Sequence, residues 1–198
     1  MANPTKGGLR KLKCLVRYLV EVPELTLRFG AEERKDRWLD VYVDSDWAGC
    51  VRTRRSTSGG MIVIGGGLVK SWASTQGSTA LSSGEAEYYA LVKGSCEGLG
   101  LKQLLADMGV KMDVRVWVDS SSAKAISERC GLGKVRHMDV RYLWLQEVRK
   151  GGGIKIMKIK GEENPADIMT KPKSLEDIRR LTKSVGVQLL EKAFGQRR

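Results

Sequence analysis

The chain has 198 residues, 41% of them hydrophobic, which suits one domain of ordinary size, or one domain with appendages. No apolar run approaches the roughly 18 residues of a membrane span, and nothing at the N-terminus resembles a signal peptide. The formal net charge of +12 favours a nucleic acid or another anionic surface as partner, although a merely lysine-rich surface gives the same figure.

Four separate cysteines and a lone His137 make a zinc site a poor fit, so reduced, intracellular thiols are expected. The charge is uneven. Residues 1–37 carry nine Lys/Arg against five Asp/Glu, residues 171–198 eight against three, and the middle 18 against 15. Most of the surplus therefore sits on the two flanks.

Residues 5–20 place Leu9, Leu12, Val16, Leu19 and Val20 at helical spacing among Arg10, Lys11, Lys13 and Arg17, which predicts a basic amphipathic helix stopped before Pro23. Residues 25–29 read as a short strand and 30–37 as a charged connection. From Trp38, WLDVYVDSDWAGC alternates with period two and ends on Asp44 and Asp46 before turning at Gly49. A basic loop, VRTRRSTSGG, follows. MIVIGGGLVKSWAS then predicts two strands joined at Gly65-Gly66-Gly67, completing an antiparallel meander.

Ser82 or Ser83 caps a predicted helix reaching about Met108, with Gly98 and Gly100 as places to bend. VRVWV at 114–118 is a fourth strand ending on Asp119, and SSSAKAISERC starts like a capped helix. Residues 135–150 form a third predicted helix, IKIMKIK at 154–160 a fifth strand, and GEENPADIMTK opens a helix with Pro165 near its first turn. The tail, 175–198, reads as one more amphipathic helix. The expected fold is a mixed α/β sheet of five strands with helices on both faces, flanked by an N-terminal and a C-terminal helix.

Asp44 and Asp119 close strands, while Glu87 and Asp167 fall in first turns of helices, the places where functional groups gather in mixed sheets. Four converging carboxylates with no arginine among them would repel unless divalent ions neutralised them, and hard oxygen donors select Mg²⁺ or Mn²⁺. Each acid taken singly also fits a cap or a solvated charge. Glu85 lies about 200° round the helix from Glu87, so only one of the two can point inward, and spacing alone leaves both open.

Five motifs then carry a resemblance. VDSDWAG at 43–49, RRSTSGG at 54–60, SSGEAEYYAL at 82–91, VDSSSA at 118–123 and NPADIMTKP at 164–172 resemble, in order, the ribonuclease H domain of copia-type LTR retrotransposon Pol polyproteins. PTKGGLRKLKCLVRYL at 4–19 is similar to the segment following the reverse transcriptase there, which would make Met1 an added start. The resemblance implies a ribonuclease H-like domain over 38–172, a basic connection over 1–37 and a basic helical extension over 173–198.

It also implies that Asp44, Glu87, Asp119 and Asp167 are the catalytic and metal-holding acids, Glu87 by the family's A-E-Y pattern. Two Mg²⁺ ions, or Mn²⁺ in their place, would support hydrolysis of the RNA strand of an RNA–DNA hybrid during reverse transcription. Products would carry 5′-phosphate and 3′-hydroxyl ends. The implied partners are the hybrid and the reverse transcriptase of the same polyprotein, with no membrane, in a cytoplasmic virus-like particle and in the nucleus.

Substrate contacts are assigned more loosely. Arg54 and Arg55 are candidates for phosphate, although they equally suit a solvated loop, and Gln76 and Ser120 are candidates for the 2′-OH. Arg136 joins this group with His137, which matches the family's pattern and is read as a structural or phosphate-side residue rather than a base. The sequence also departs from the family. Glu162 and Glu163 stand where many relatives carry a mobile histidine, Leu143 replaces a second histidine, and the short GLGKVRH link has no room for a basic helix. Those departures keep open an inert hybrid-binding module of the same fold, and a related nuclease acting on DNA is the other rival.

Overall fold

Leu39, Val41 and Val43 alternate with Trp38, Asp40 and Tyr42, which gives the central strand two different faces. That strand is β2, Trp38–Asp46, in the computed structural model, which describes residues 5–21, 25–29, 37–131, 133 and 137–189. Before it come α1, Lys6–Glu21, and β1, Leu25–Leu27. After it, β3 (Thr57–Ile64) and β4 (Gly67–Thr75) complete an antiparallel meander. α2, Ser83–Asp107, then leads to β5, Asp113–Val118, and α3, Ser121–Glu128.

A short 3₁₀ turn at Val140–Leu143 and α4, Trp144–Lys150, precede β6, Lys155–Lys158. The five-stranded sheet runs β4-β3-β2-β5-β6, with β5 parallel to β2 and β6 parallel to β5. The mixed five-stranded sheet expected from the sequence is therefore present.

One face of the sheet makes the main core. Leu39, Val41, Val43, Val114, Val116 and Val118 are all fully or almost fully buried there with Tyr88 and Leu91 of α2. α2 stays helical through Gly98 and Gly100. On the other face, the Arg115 guanidinium grips Asp40 at 2.8 and 2.9 Å and lies 5.0 Å over the Trp38 ring. A second, smaller cluster joins Met61 and Val63 to Val185 and Val187.

Three sequence expectations change. Within its described residues the tail does not run on as a helix, and residues 190–198 lie outside them. α5 stops at Ser184, Gly186 adopts a φ of +74° that favours glycine, and Val187–Leu189 forms β7, antiparallel to β1. The helix expected around Pro165 is instead two 3₁₀ turns, Gly161–Glu163 and Pro165–Met169. The buried Asn164 divides them, and its side chain caps the second by accepting from Ala166 N–H at 3.2 Å. The third helix is shorter than predicted, starting as a 3₁₀ turn at Val140, and Arg136 lies outside the described residues. Among the described residues, no helix is long and apolar enough to cross a membrane.

Candidate active site

The register of the parallel pair brings the first two acids together. Tyr42 of β2 lies beside Trp117 of β5, so two residues further on Asp44 and Asp119 leave adjacent strands at the same level. Asp167 arrives from the 3₁₀ turn that packs on β2 and β3. Asn164 ties that turn to β2, its Nδ2 donating to the Val43 carbonyl at 2.9 Å. Gly59, opposite Asp44 across β3, lets the turn approach, since a Cβ there would come within 2.6 Å of Met169 and Thr170. One oxygen from each of Asp44, Asp119 and Asp167 lies within 4.8 Å of the others.

Glu87 is the fourth acid, on the first turns of α2 and outside that close triad. Ser45 N–H donates to its Oε1 at 3.4 Å, while its Oε2 is buried with no hydrogen-bond partner among the described residues. Glu85 has a different setting. Its Oε1 accepts from the Tyr89 hydroxyl, and its Oε2 meets Leu81 N–H and His137 Nε2, both at 2.9 Å. Both of its oxygens meet a structural partner, and Glu87 is the one that feels the charges of Asp44 and Asp119.

Electrostatics follow from this crowding. Burial raises Asp44 to about 6, against the Thr170 hydroxyl and Lys171, which favour its charged form. Burial, then the charges of Asp44 and Asp119, push Glu87 up to about 8. Asp119 is raised chiefly by burial. Burial also pushes Asp167 upward, but hydrogen bonds from Lys171 and Lys173 win and hold it below the usual carboxylate range.

Those lysines are what the sequence reading missed. Lys171 Nζ sits 3.0 Å from Asp44 Oδ1 and 2.8 Å from Asp167 Oδ1, and Lys173 Nζ sits 2.5 Å from Asp167 Oδ2. Thr170 Oγ1 donates to Asp44 Oδ2, and Lys158 Nζ to the Asp119 carbonyl. The acids thus have cationic partners, lysine rather than arginine. The signal available was T-K-P-K at 170–173, shortly after the last acid, with Lys171 four residues on from Asp167.

The looser candidates are placed as follows. Arg54 and Arg55 are exposed in the loop after β2, Arg54 with a φ of +55°. Gln76 is buried, its Nε2 donating to Ser58 Oγ and the Ala86 carbonyl. Ser120 caps α3 next to Asp119, and His137 is exposed and bound to Glu85. Asp46 accepts from Thr57 N–H at the strand end. Glu162 and Glu163 are exposed.

The acid cluster fits hard divalent cations on its own chemistry. It offers oxygen donors only, three of them mutually close, and a buried carboxylate oxygen of Glu87 without a partner.

No family model matches the chain. The retrovirus-related Pol polyprotein from transposon TNT 1-94 of Nicotiana tabacum is 34% identical over 173 residues, covering 86% of this chain. That from transposon RE1 of Arabidopsis thaliana is 26% identical over 193 residues, covering 94%. The chain spans 13% of the length of each. Among solved structures, a ribonuclease H1 isolated from compost, LC11-RNase H1, aligns with a TM-score of 0.50 at 20% identity, over 68% of this chain and 93% of that one. At that identity the likeness speaks to the fold alone. The chain is similar to a segment of the retrovirus-related Pol polyproteins of plant transposons, and its fold is that of ribonuclease H.

Proposed function

We propose that this domain is a metal-dependent ribonuclease H that hydrolyses the RNA strand of an RNA–DNA hybrid during copia-type reverse transcription. The observation that carries the reading is the meeting of Asp44, Asp119 and Asp167 within 4.8 Å, with Glu87 facing them, at one end of a ribonuclease H-fold sheet.

Asp44, Glu87, Asp119 and Asp167 would hold two Mg²⁺ or Mn²⁺ ions. Such ions, when bound, supply positive charge beside an attacking water and beside the departing 3′ oxygen, leaving 5′-phosphate and 3′-hydroxyl ends. The residues of the chain do the positioning. Thr170 holds one oxygen of Asp44, Ser45 N–H orients Glu87, and Asn164 fixes the turn that presents Asp167. Burial of Asp44 excludes bulk water, which strengthens every charge interaction at the site.

Ser120, beside Asp119, and Gln76 are candidate 2′-OH contacts, and Arg54, Arg55, Arg136 and His137 are candidates for phosphate. The basic segments 1–37 and 173–198 would flank a catalytic unit at 38–172, next to the reverse transcriptase of the polyprotein in a cytoplasmic particle.

The test is end-labelled RNA annealed to DNA, incubated with Mg²⁺ and then Mn²⁺, beside Asp44→Asn. Cleavage confined to the hybrid RNA and lost in the variant is the expected result. Binding without cleavage, in the presence of the polymerase as well, would make the domain an inert hybrid-binding module. Cleavage of duplex DNA would make it a DNA nuclease.

A further inference from the structure

Lys171 lies between two acids of the candidate metal site. Its ammonium bridges Asp44 Oδ1 and Asp167 Oδ1, at 3.0 and 2.8 Å, and both residues belong to the triad whose oxygens come within 4.8 Å of one another. An ammonium and a divalent ion seek the same lone pairs, and two cations sharing one oxygen would stand close enough to repel strongly. Lys171 is not locked in place. Its side chain is 41% exposed, while the two carboxylates it joins are buried. The four-carbon stem can therefore swing the ammonium into solvent without moving the backbone.

We infer that Lys171 is a tethered counterion that competes with divalent metal for Asp44 and Asp167, holding the acids together in the metal-free protein and withdrawing when an ion binds. This rests on the metal-dependent reading above. Lys173 is the internal contrast. Among the described residues its ammonium pairs with Asp167 alone, through Oδ2, and bridges no two acids. Removing it should reduce attraction for Asp167 without vacating the shared position.

Calorimetric titration with Mn²⁺ alone, on the whole chain and without nucleic acid, tests this. Lys171→Met is expected to bind Mn²⁺ at least about tenfold more tightly than the wild type, because a competing charge has gone. Lys173→Met should change affinity less. The metal-free Lys171→Met protein should also melt at a lower temperature in EDTA, with Mn²⁺ recovering more than it does for the wild type. Should that variant not fold without metal, Lys171→Arg decides. It keeps the charge and adds a fork matched to carboxylates, so Mn²⁺ should bind more weakly than to the wild type.

Unchanged or weaker Mn²⁺ binding by Lys171→Met, with the wild type binding normally, overturns the competition alone. Lys171→Arg binding as tightly as the wild type, or more tightly, does the same. Absence of Mn²⁺ binding to the wild type and to both Lys171 variants overturns this inference and the metal-dependent function together.

Discussion

Asn164 Nδ2 donates to the backbone carbonyl of Val43, 121 residues earlier, at 2.9 Å, one residue before Asp44 and three before Asp167. Its Oδ1 accepts from Ala166 N–H, so one fully buried amide links the first and last acids through their backbones. Asn164→Ala removes the side-chain donor to the Val43 carbonyl and the side-chain cap of the 3₁₀ turn. A loss of about 1–3 kcal/mol in urea unfolding is expected, together with weaker Mn²⁺ binding as Asp167 drifts from Asp44. Wild-type stability in this variant would show that the turn is held by other contacts.

Glu85 and Glu87 should respond in opposite ways to the same isosteric change. Glu85 accepts from Leu81 N–H and Tyr89 and pairs with His137, and these bonds outweigh burial in keeping it charged. Glu85→Gln turns part of that acceptor set into donors and should destabilise the fold by about 1–3 kcal/mol. Glu87→Gln removes a buried carboxylate that Asp44 and Asp119 disfavour, so the metal-free protein should be as stable as the wild type or more so near pH 8, while Mn²⁺ binding falls. Matching thermal shifts for the two variants in EDTA would contradict these assignments.

The pH dependence has a definite sign. An acid whose folded pKa lies above its unfolded value binds more protons when folded, so its stabilising contribution is complete at low pH and lost as pH rises. For Asp44 the window runs from 3.8 to about 6, and for Glu87 from 4.5 to about 8. In EDTA, the melting temperature attributable to these groups should therefore fall as pH climbs from about 4 to about 8. Glu87→Gln should flatten the upper half of that decline. Metal needs the same carboxylates unprotonated, so Mn²⁺ binding should tighten over this range and release protons, which calorimetry in buffers of different ionisation enthalpy would register.

What could be read in the chain follows from how local each feature is. Period-two alternation before Asp44 and in VRVWV before Asp119 marked two strands ending in acids, and that pairing survives in the parallel register. The choice between Glu85 and Glu87 was not local. It depends on His137, 52 residues away, taking one of them. β7 escaped notice because three residues, Val187–Leu189, carry too little pattern and pair with β1, more than 150 residues earlier in the chain. Lys171 and Lys173 looked like part of a basic tail until the 3₁₀ turn aimed them back at Asp167. A charge count shows a surplus but not which way its side chains face.

α1 provides the last prediction. Almost all of it is exposed, including Leu9, Leu12, Leu15, Val16, Leu19 and Val20, and its polar positions carry Lys6, Arg10, Lys11, Lys13 and Arg17. β1 is a different matter, since its pairing with β7 makes residues 25–27 part of the fold. Deleting residues 1–21 should therefore leave the melting temperature of the domain nearly unchanged. If the basic face meets phosphates, hybrid binding should weaken and the slope of log K against log salt should shrink by about one unit per lost phosphate contact. An unchanged slope would mean that these lysines and arginines stay in solvent when the hybrid binds. The exposed apolar stripe would then be the part of the helix without a partner among the described residues.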